Sequence, residues 1–107
     1  MLSLEQIRHA VAPLAERYGL ERVFLFGSYA RGEATEESDV DLRIDRGTMR
    51  GLQFGGLYED MKESLACPVD ILTTEQMGSR FLSHVKKEEI LLYDRKKQGH
   101  TAPTTYR

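Results

Sequence analysis

The chain has 107 residues, a mass of 12.2 kDa and a formal net charge of −2, which is the size of one domain. Hydrophobic residues make up 40% and charged residues 30%, which excludes collagen-like, low-complexity and strongly disordered proteins. A domain this small buries one modest core, so we expect an open active-site cleft. The longest uninterrupted apolar runs, Val23–Phe26 and Ile90–Tyr93, are far shorter than the roughly 20 residues of a membrane span. We therefore expect a cytoplasmic protein without a membrane partner.

The first half of the chain predicts two helices and two strands. Ser3 and Gln6 have the spacing of a capping box, and apolar residues follow at steps of three and four until Gly19, as in an amphipathic helix. The β-branched and aromatic run 22–26 predicts a buried strand. In residues 39–45 apolar and charged residues alternate with period two, which predicts a half-buried strand. Between these strands we expect a short helix at 29–31 and a polar loop at 32–38.

The second half continues the alternation of helices and strands. Apolar residues at helical spacing between 54 and 65 predict an amphipathic helix, and residues 69–72 and 90–93 predict two more strands. Residues 73–87 begin with another capping-box spacing and predict helical structure. The order of these elements predicts a single α/β (α+β) domain with a small mixed sheet covered by helices.

Charge is distributed unevenly along the chain. Residues 1–85 contain nine Lys or Arg and fourteen Asp or Glu, whereas residues 86–107 contain six and three. We expect residues 1–93 to form the domain and residues 94–107 to form a flexible basic tail. Nucleic-acid binding by this tail is the alternative. It lacks the interleaved aromatic or arginine-rich pattern of such segments, so we do not expect a nucleic-acid partner.

Cys67 is the only cysteine, so an internal disulfide or a multi-cysteine zinc site cannot form. We expect it to be a small buried residue in a protein from a reducing compartment. The three histidines are scattered without metal-binding spacing, which gives no support to a histidine metal site.

Three aspartates lie on two of the predicted strands. Side chains alternate along a strand, so Asp39 and Asp41 project to one face, and Asp70 projects the same way if its strand is a neighbour. At about 4 Å each pair of like charges costs roughly 4 kcal/mol in a medium of effective dielectric near 20. Either protonation or a divalent cation would relieve this repulsion, and all-oxygen ligands favour Mg²⁺ or Mn²⁺. The competing interpretation is that these are ordinary outward-facing residues at a sheet edge.

A Gly-Ser pair ends the first predicted strand and opens the short helix. Gly27 permits close approach of a ligand, and backbone N–H groups with the Ser28 hydroxyl are suited to phosphate oxygens. The segment is neither a Walker A loop nor a dinucleotide fingerprint. By itself such a pair is usually only a turn.

Together, the pair and the acids form a specific pattern. Gly27-Ser28 is followed by ten residues and then by Asp39-Val40-Asp41, within the run FGSYARGEATEESDVDL. This resembles the GS-x10-DxD signature of the polymerase beta-like nucleotidyltransferase superfamily, and in detail the minimal nucleotidyltransferases (MNT). The later PVDIL resembles the strand that carries the third acid of that family. The similarity extends from the first helix to the closing ILLYD, and it implies the polymerase beta-like nucleotidyltransferase fold.

The resemblance also implies a role for each matching residue. Asp39 and Asp41 would bind two Mg²⁺ ions, and Asp70 would join the catalytic metal and help to deprotonate the acceptor hydroxyl. Gly27 and Ser28 would hold the β and γ phosphates of ATP.

Two arginines near these motifs have roles that the sequence leaves open. Arg31 is expected either to reach the triphosphate or to form a salt bridge with a loop acid, for which Glu33, Glu36 and Glu37 are the candidates. Arg43 departs from the resemblance, since an apolar residue is usual there. By strand parity Arg43 lies on the face of the carboxylates, where an acid or the substrate is its expected partner.

The resemblance implies an enzyme that moves AMP from ATP to a hydroxyl. The chain has no room for a separate acceptor-binding domain, so we expect a protein acceptor, a Tyr of a partner HEPN ribonuclease toxin, and an antitoxin function. A catalytically silent antitoxin that blocks its toxin by contact and a transferase for a small-molecule acceptor are the alternatives. Template-directed polymerisation would require a basic groove, which the acidic body does not offer.

Overall fold

The computed structural model describes the backbone of residues 1–100 and the side chains of residues 1–97. Within this range, helices, strands and two 3₁₀ turns (Gly51–Gln53 and Thr74–Gln76) alternate along the chain. The elements are α1 (Leu4–Tyr18), β1 (Arg22–Phe26), α2 (Ser28–Arg31), β2 (Val40–Asp45), α3 (Phe54–Leu65), β3 (Val69–Thr73), α4 (Ser79–Lys86), β4 (Ile90–Asp94) and α5 (Arg95–His100). This is the mixed α/β single domain that the sequence predicts.

The four strands form one sheet in the order β3-β2-β1-β4. β1 is antiparallel to both β2 and β4, whereas β2 and β3 are parallel. The parallel pair is possible because α3 carries the chain back between these strands, as a parallel connection requires. The sheet is therefore mixed, and β2 lies between the strand that ends at Phe26 and the strand that carries Asp70.

The caps predicted for α1 are present. The Gln6 N–H donates to Ser3 Oγ at 3.1 Å, and the Ser3 N–H donates to Gln6 Oε1 at 2.8 Å. At the other end Gly19 has a φ of +73° and donates its N–H to carbonyls of the last helical turn. With both ends satisfied, α1 presents an apolar stripe that packs against α3 and β4.

The two faces of the sheet are covered differently. Helices α1 and α3 cover one face, where fully buried Val40, Leu42 and Ile44 of β2 point into the main core. On the opposite face a smaller apolar cluster packs around Phe26, Met77 and Val85. The alternation within β2 thus leaves Asp41, Arg43 and Asp45 on the face with the smaller cluster. Polar side chains can be displayed there without disturbing the main core.

Several predicted boundaries differ from the structure, most of them by a single residue. β2 begins at Val40 instead of Asp39, because the first β2–β3 pair joins Val40 to Val69. The helical structure predicted for residues 73–87 is divided into the turn Thr74–Gln76 and α4, because Met77 and Gly78 have extended backbone conformations. Met77 is buried in the smaller cluster, and this contact accounts for the interruption.

Residues 94–100, the first part of the predicted tail, lie within the described residues, and the division into a domain and a flexible tail stays a prediction. Asp94 is the last residue of β4 and pairs with Arg22, and residues 95–100 form α5. The Arg95 N–H donates to the Glu21 carbonyl at 2.9 Å, which continues the attachment of this segment to the domain. Residues 101–107 of the predicted tail lie outside the described residues.

Candidate active site

Asp41 and Asp70 lie side by side on neighbouring parallel strands. The β2–β3 register pairs Asp41 with Asp70, and buried neighbours, Val40 beside Val69, hold both strands on the main core. Asp41 is half-buried and Asp70 is exposed. The condition that the sequence left open, that the two strands be neighbours, is met.

The environment of Asp41 favours its neutral form. Burial, followed by the negative charges of Asp70 and Asp39, raises the pKa of Asp41 from 3.8 to about 6. Arg31 opposes this shift, because a positive charge stabilises the carboxylate. Four acids, with Glu88 as the fourth, and the Arg31 guanidinium therefore act on each other electrostatically at one edge of the sheet.

Asp39 lies just before β2 and is exposed. Its charge raises the pKa of Asp41, and together with the larger effect of burial it raises the pKa of the Cys67 thiol. Asp39 is therefore close to both groups, in the loop that leads into β2. Cys67, which we predicted to be buried, is half-buried.

Gly27 places the backbone after β1 directly against Asp41. Since Phe26 pairs with Asp41 in the antiparallel β1–β2 register, the next residue lies beside the carboxylate. Gly27 is buried, has φ +78° and ψ −154°, and a Cβ added to it would lie 3.1 Å from Asp41 Cγ. These angles fall in a region that is essentially restricted to glycine. A side chain at this position would thus be excluded by the backbone conformation and by lack of space.

Ser28 and Arg31 are the first and last residues of α2. The Glu33 N–H donates to the Ser28 carbonyl at 2.9 Å, and Gly32, with φ +74°, ends the helix. This closed turn brings Arg31 back toward the Gly27 end of α2. Ser28 is half-buried and immediately follows the residue that contacts Asp41.

Arg31 forms two salt bridges in the structure. Its Nε donates to Glu33 Oε1 at 3.0 Å, so Glu33 is the loop acid that the sequence proposed as a partner. Its Nη1 lies 3.3 Å from both carboxylate oxygens of Glu88, which also accepts the Gly27 N–H at 2.8 Å. The sequence reasoning missed Glu88, because nothing in the Lys-Lys-Glu-Glu run distinguishes it from a solvated turn residue.

Arg43 is a buried part of the same sheet face. It forms a bidentate salt bridge with Glu89, at 3.0 and 2.8 Å, donates to Thr74 Oγ1 at 2.8 Å, and lies 4.1 Å from the centre of the Phe24 ring. Only 4% of its side chain is exposed. Of the two partners expected for Arg43, the structure supplies the acid.

The carboxylates are compatible with an Mg²⁺ ion that arrives with a nucleotide. Within the described residues, no three or more His, Cys, Asp or Glu side chains are arranged as a metal site. The Mg²⁺ of a nucleotide complex, however, commonly takes one or two carboxylates from the protein and further oxygens from phosphates. Asp41 and Asp70 provide two adjacent carboxylates, and a cation would relieve the repulsion that raises the pKa of Asp41. The metal roles predicted for Asp39, Asp41 and Asp70 stay predictions.

Comparisons with known proteins give one consistent family. The family model described as polymerase beta, nucleotidyltransferase matches residues 9–98. Protein adenylyltransferase MntA of Thermococcus cleftensis is 35% identical over 95 residues, which covers 84% of this chain and 96% of the relative. A solved structure described as a minimal nucleotidyltransferase superposes with a TM-score of 0.72 at 35% identity, covering 83% of this chain and 95% of the other.

A more distant neighbour extends the agreement in fold. It is a chain in the structure of tri-AMPylated Shewanella oneidensis HEPN toxin in complex with MNT antitoxin, with a TM-score of 0.65 at 16% identity. The match covers 92% of this chain and 78% of the neighbour. At this identity the similarity demonstrates the fold alone.

The chain belongs to the polymerase beta nucleotidyltransferase family. The predicted fold and the predicted enzyme class, a nucleotidyltransferase, are both confirmed. From residue 1 to residue 100, no helix is both long enough and apolar enough to cross a membrane.

Proposed function

We propose that this chain is a Mg²⁺-dependent protein adenylyltransferase that transfers AMP from ATP to a Tyr hydroxyl of a partner HEPN-type toxin. The observation that carries the proposal is the placement of Asp41 beside Asp70 and directly against Gly27. Two carboxylates and a glycine-lined turn at one sheet edge form an open site suited to a metal-bound triphosphate. A cytoplasmic antitoxin is the corresponding biological role.

Similar proteins support the protein acceptor. The relative from Thermococcus cleftensis is named protein adenylyltransferase MntA, and the match covers 96% of its length. Two neighbours in fold are a toxin–antitoxin structure with AMP-PNP and the complex of tri-AMPylated HEPN toxin with MNT antitoxin. The match to the solved minimal nucleotidyltransferase likewise covers 95% of that chain. We propose that the partner protein supplies the acceptor group.

Each site residue has a proposed task. Asp39 and Asp41 would hold the Mg²⁺ ions, for which Mn²⁺ could substitute, and Asp70 would join the catalytic ion and accept the proton of the attacking hydroxyl. Gly27 and Ser28 would bind the β and γ phosphates. Since the Gly27 N–H is donated to Glu88, Gly27 would contribute the space left by its missing side chain, and Ser28 would contribute the hydrogen-bond donors. The ion, when bound, neutralises phosphate charge and aligns the reacting oxygens.

The reaction is a displacement at the α-phosphorus of ATP. The hydroxyl oxygen forms a bond to this phosphorus while the bond to the pyrophosphate oxygen breaks, and the hydroxyl proton passes to a carboxylate such as Asp70 and then to solvent. The products are an adenylylated side chain and pyrophosphate. The protein contributes mainly by positioning and by electrostatic stabilisation.

Transfer of label from ATP to the partner tests this function. The protein that copurifies with the chain is incubated with α-labelled ATP and Mg²⁺, and the modified residue is mapped by mass spectrometry. We expect label on a Tyr of the partner, loss of label in Asp41→Ala with the complex still formed, and normal transfer in Glu63→Gln, an exposed acid on α3.

Other outcomes would refute parts of the proposal. A stable complex without any transfer would identify an antitoxin that acts by contact alone. Label only on a small molecule would exclude the protein acceptor. Transfer that persists in EDTA would exclude the metal requirement.

A further inference from the structure

Glu88 joins two parts of the site that are far apart in the sequence. It lies in the turn between α4 and β4, where its N–H donates to the Val85 carbonyl at 3.0 Å. In the antiparallel β1–β4 register Leu25 pairs with Ile90, so Gly27, two residues after Leu25, comes opposite Glu88, two residues before Ile90. The carboxylate accepts the Gly27 N–H just beyond the last of these strand pairs.

The contacts of Glu88 are stronger than those of a surface charge. Only 18% of its side chain is exposed, compared with 67% for Glu33. Partial burial alone would raise the pKa of Glu88, but the Gly27 N–H and Arg31 together lower it below its ordinary value. A hydrogen bond between a charged group and a partly buried backbone N–H is among the stronger kinds in proteins.

We propose that Glu88 is a positioning residue of the nucleotide site, which fixes the Gly27 turn and holds Arg31 so that both face the triphosphate. The inference rests on the proposed function. Glu88 contacts Gly27 from the β4 side, whereas a Cβ on Gly27 would point toward Asp41 on the other side. The Glu88 carboxylate can therefore orient the Gly27 backbone without occupying the space beside the aspartates. Arg31 is close enough to Asp41 to lower the pKa of that acid.

The geometry assigns different contributions to the two acids that bind Arg31. Glu33 binds only at Nε and is well exposed, so water can replace it with little loss. Glu88 holds Nη1 and the Gly27 N–H together. Glu33→Gln is therefore the matched control, since it removes the same charge from the same arginine without releasing the backbone.

The test is the affinity for ATP with Mg²⁺, measured by titration calorimetry on the folded variants. For Glu88→Ala we expect Kd to rise about tenfold, because the released Gly27 turn and Arg31 would adopt the binding-competent arrangement in only about a tenth of the molecules. In Glu88→Gln the amide oxygen can still accept the Gly27 N–H, so we expect an intermediate rise of about threefold. Glu33→Gln should change Kd by less than about twofold.

A double-mutant cycle separates positioning from general destabilisation. If Glu88 acts partly through Arg31, the loss in Arg31→Ala/Glu88→Ala is smaller than the sum of the two single losses. In the transfer assay the KM for ATP should rise more than kcat falls, because the reacting groups are untouched. If Glu88 had a purely structural role, its substitution would lower the melting temperature and leave the Kd for ATP unchanged.

Opposite results overturn the inference. An unchanged Kd in Glu88→Ala would exclude positioning altogether, and strictly additive losses with Arg31→Ala would exclude positioning through Arg31. Tighter binding in Glu88→Ala would mean that the carboxylate repels the phosphates. If the unsubstituted protein binds no ATP, the proposed function fails together with this inference. If it transfers AMP normally and Glu88→Ala behaves identically, only this inference fails.

Discussion

Gly27 lies so close to Asp41 that no side chain fits between them. A Cβ at Gly27 would lie 3.1 Å from Cγ and 3.3 Å from Cβ of the aspartate, and the φ of +78° already disfavours any other residue. The contact arises because the antiparallel β1–β2 register brings the residue after Phe26 next to Asp41. The glycine of the motif is therefore required by the aspartate of the same motif.

Substitution of Gly27 by Ala should be more costly than the same change at Gly32. Both glycines have positive φ, at +78° and +74°, but a Cβ at Gly32 would meet nothing within 4 Å. We expect Gly32→Ala to lower the free energy of unfolding by about 1 kcal/mol and Gly27→Ala by about 3 kcal/mol, with loss of transfer activity. Urea denaturation measures both. Equal losses would show that contact with Asp41 has no energetic effect.

The raised pKa of Asp41 predicts a pH-dependent stability. Because folding raises this pKa from 3.8 to about 6, the folded protein binds more protons than the unfolded chain in that interval. The contribution of Asp41 to stability is complete below pH 3.8 and is lost as the pH rises through about 6. In EDTA at pH 8, the free energy of unfolding of Asp41→Asn should therefore be higher than that of the native protein, by on the order of 1 kcal/mol.

The difference between Asp41→Asn and the native protein should disappear near pH 4. Denaturation curves at several pH values provide the measurement, and Glu63→Gln, an exposed substitution on α3, controls for the general change in net charge. If Asp41→Asn were no more stable than the native protein at pH 8, the destabilising effect that we assign to ionised Asp41 would be contradicted.

Mg²⁺ together with ATP should stabilise the folded protein. Ligand at a hundred times its Kd adds about 2.7 kcal/mol, which for a domain of this size raises the melting temperature by several degrees. Differential scanning fluorimetry should detect this shift, and EDTA should abolish it. Asp39→Ala should lose most of the shift, whereas Glu63→Gln should keep it. An equal shift in Asp39→Ala would count against a metal role for that residue.

The site divides into contacts that sequence pattern predicts and contacts that it does not. Alternation within single strands is enough to place Asp41 and Asp70 on one face, because Val40 and Val69 must enter the core. Glu88, in contrast, lies 61 residues from Gly27 in the sequence and reaches it through the pairing of β1 with β4. The β1–β4 pairing also contains a register shift after Val23, and no local pattern determines where such a shift falls.

Arg43 illustrates the same limit in a different way. Because side chains alternate along β2, the position of Arg43 in the strand was sufficient to assign its sheet face. Its partner Glu89 was not predictable in this way, because it lies 46 residues away in the turn before β4. The interruption before α4 is similar, because the tertiary contact of Met77 with the smaller cluster overrides the helical pattern. The sequence therefore predicted the helices and strands well, and it did not predict the polar partners that are distant along the chain.

The Arg43–Glu89 salt bridge should respond very differently to single and double substitution. The side chains of Arg43 and Glu89 are only 4% and 12% exposed, so Glu89→Ala would leave a buried guanidinium with only the more distant Asp45, at 3.7 Å, as its counter-ion. We expect a loss of about 3 kcal/mol for Glu89→Ala and a much smaller loss for Arg43→Met/Glu89→Leu, which replaces both charges by apolar groups. Urea denaturation of the three proteins gives the comparison. A double variant at least as unstable as Glu89→Ala would contradict the prediction.

Cys67 offers a chemical reporter for the position of Asp39. Burial and the negative charge of Asp39 both raise the pKa of the thiol, and the thiolate is the reactive form. Asp39→Asn should therefore increase the rate of alkylation by iodoacetamide at pH 8 by about twofold to threefold. Glu37→Gln, an exposed acid in the same loop, is the control and should leave the rate unchanged. Since Cys67 is the only cysteine, the measured rate needs no correction for other thiols. An equal rate in both variants would mean that Asp39 does not lie beside Cys67 in solution.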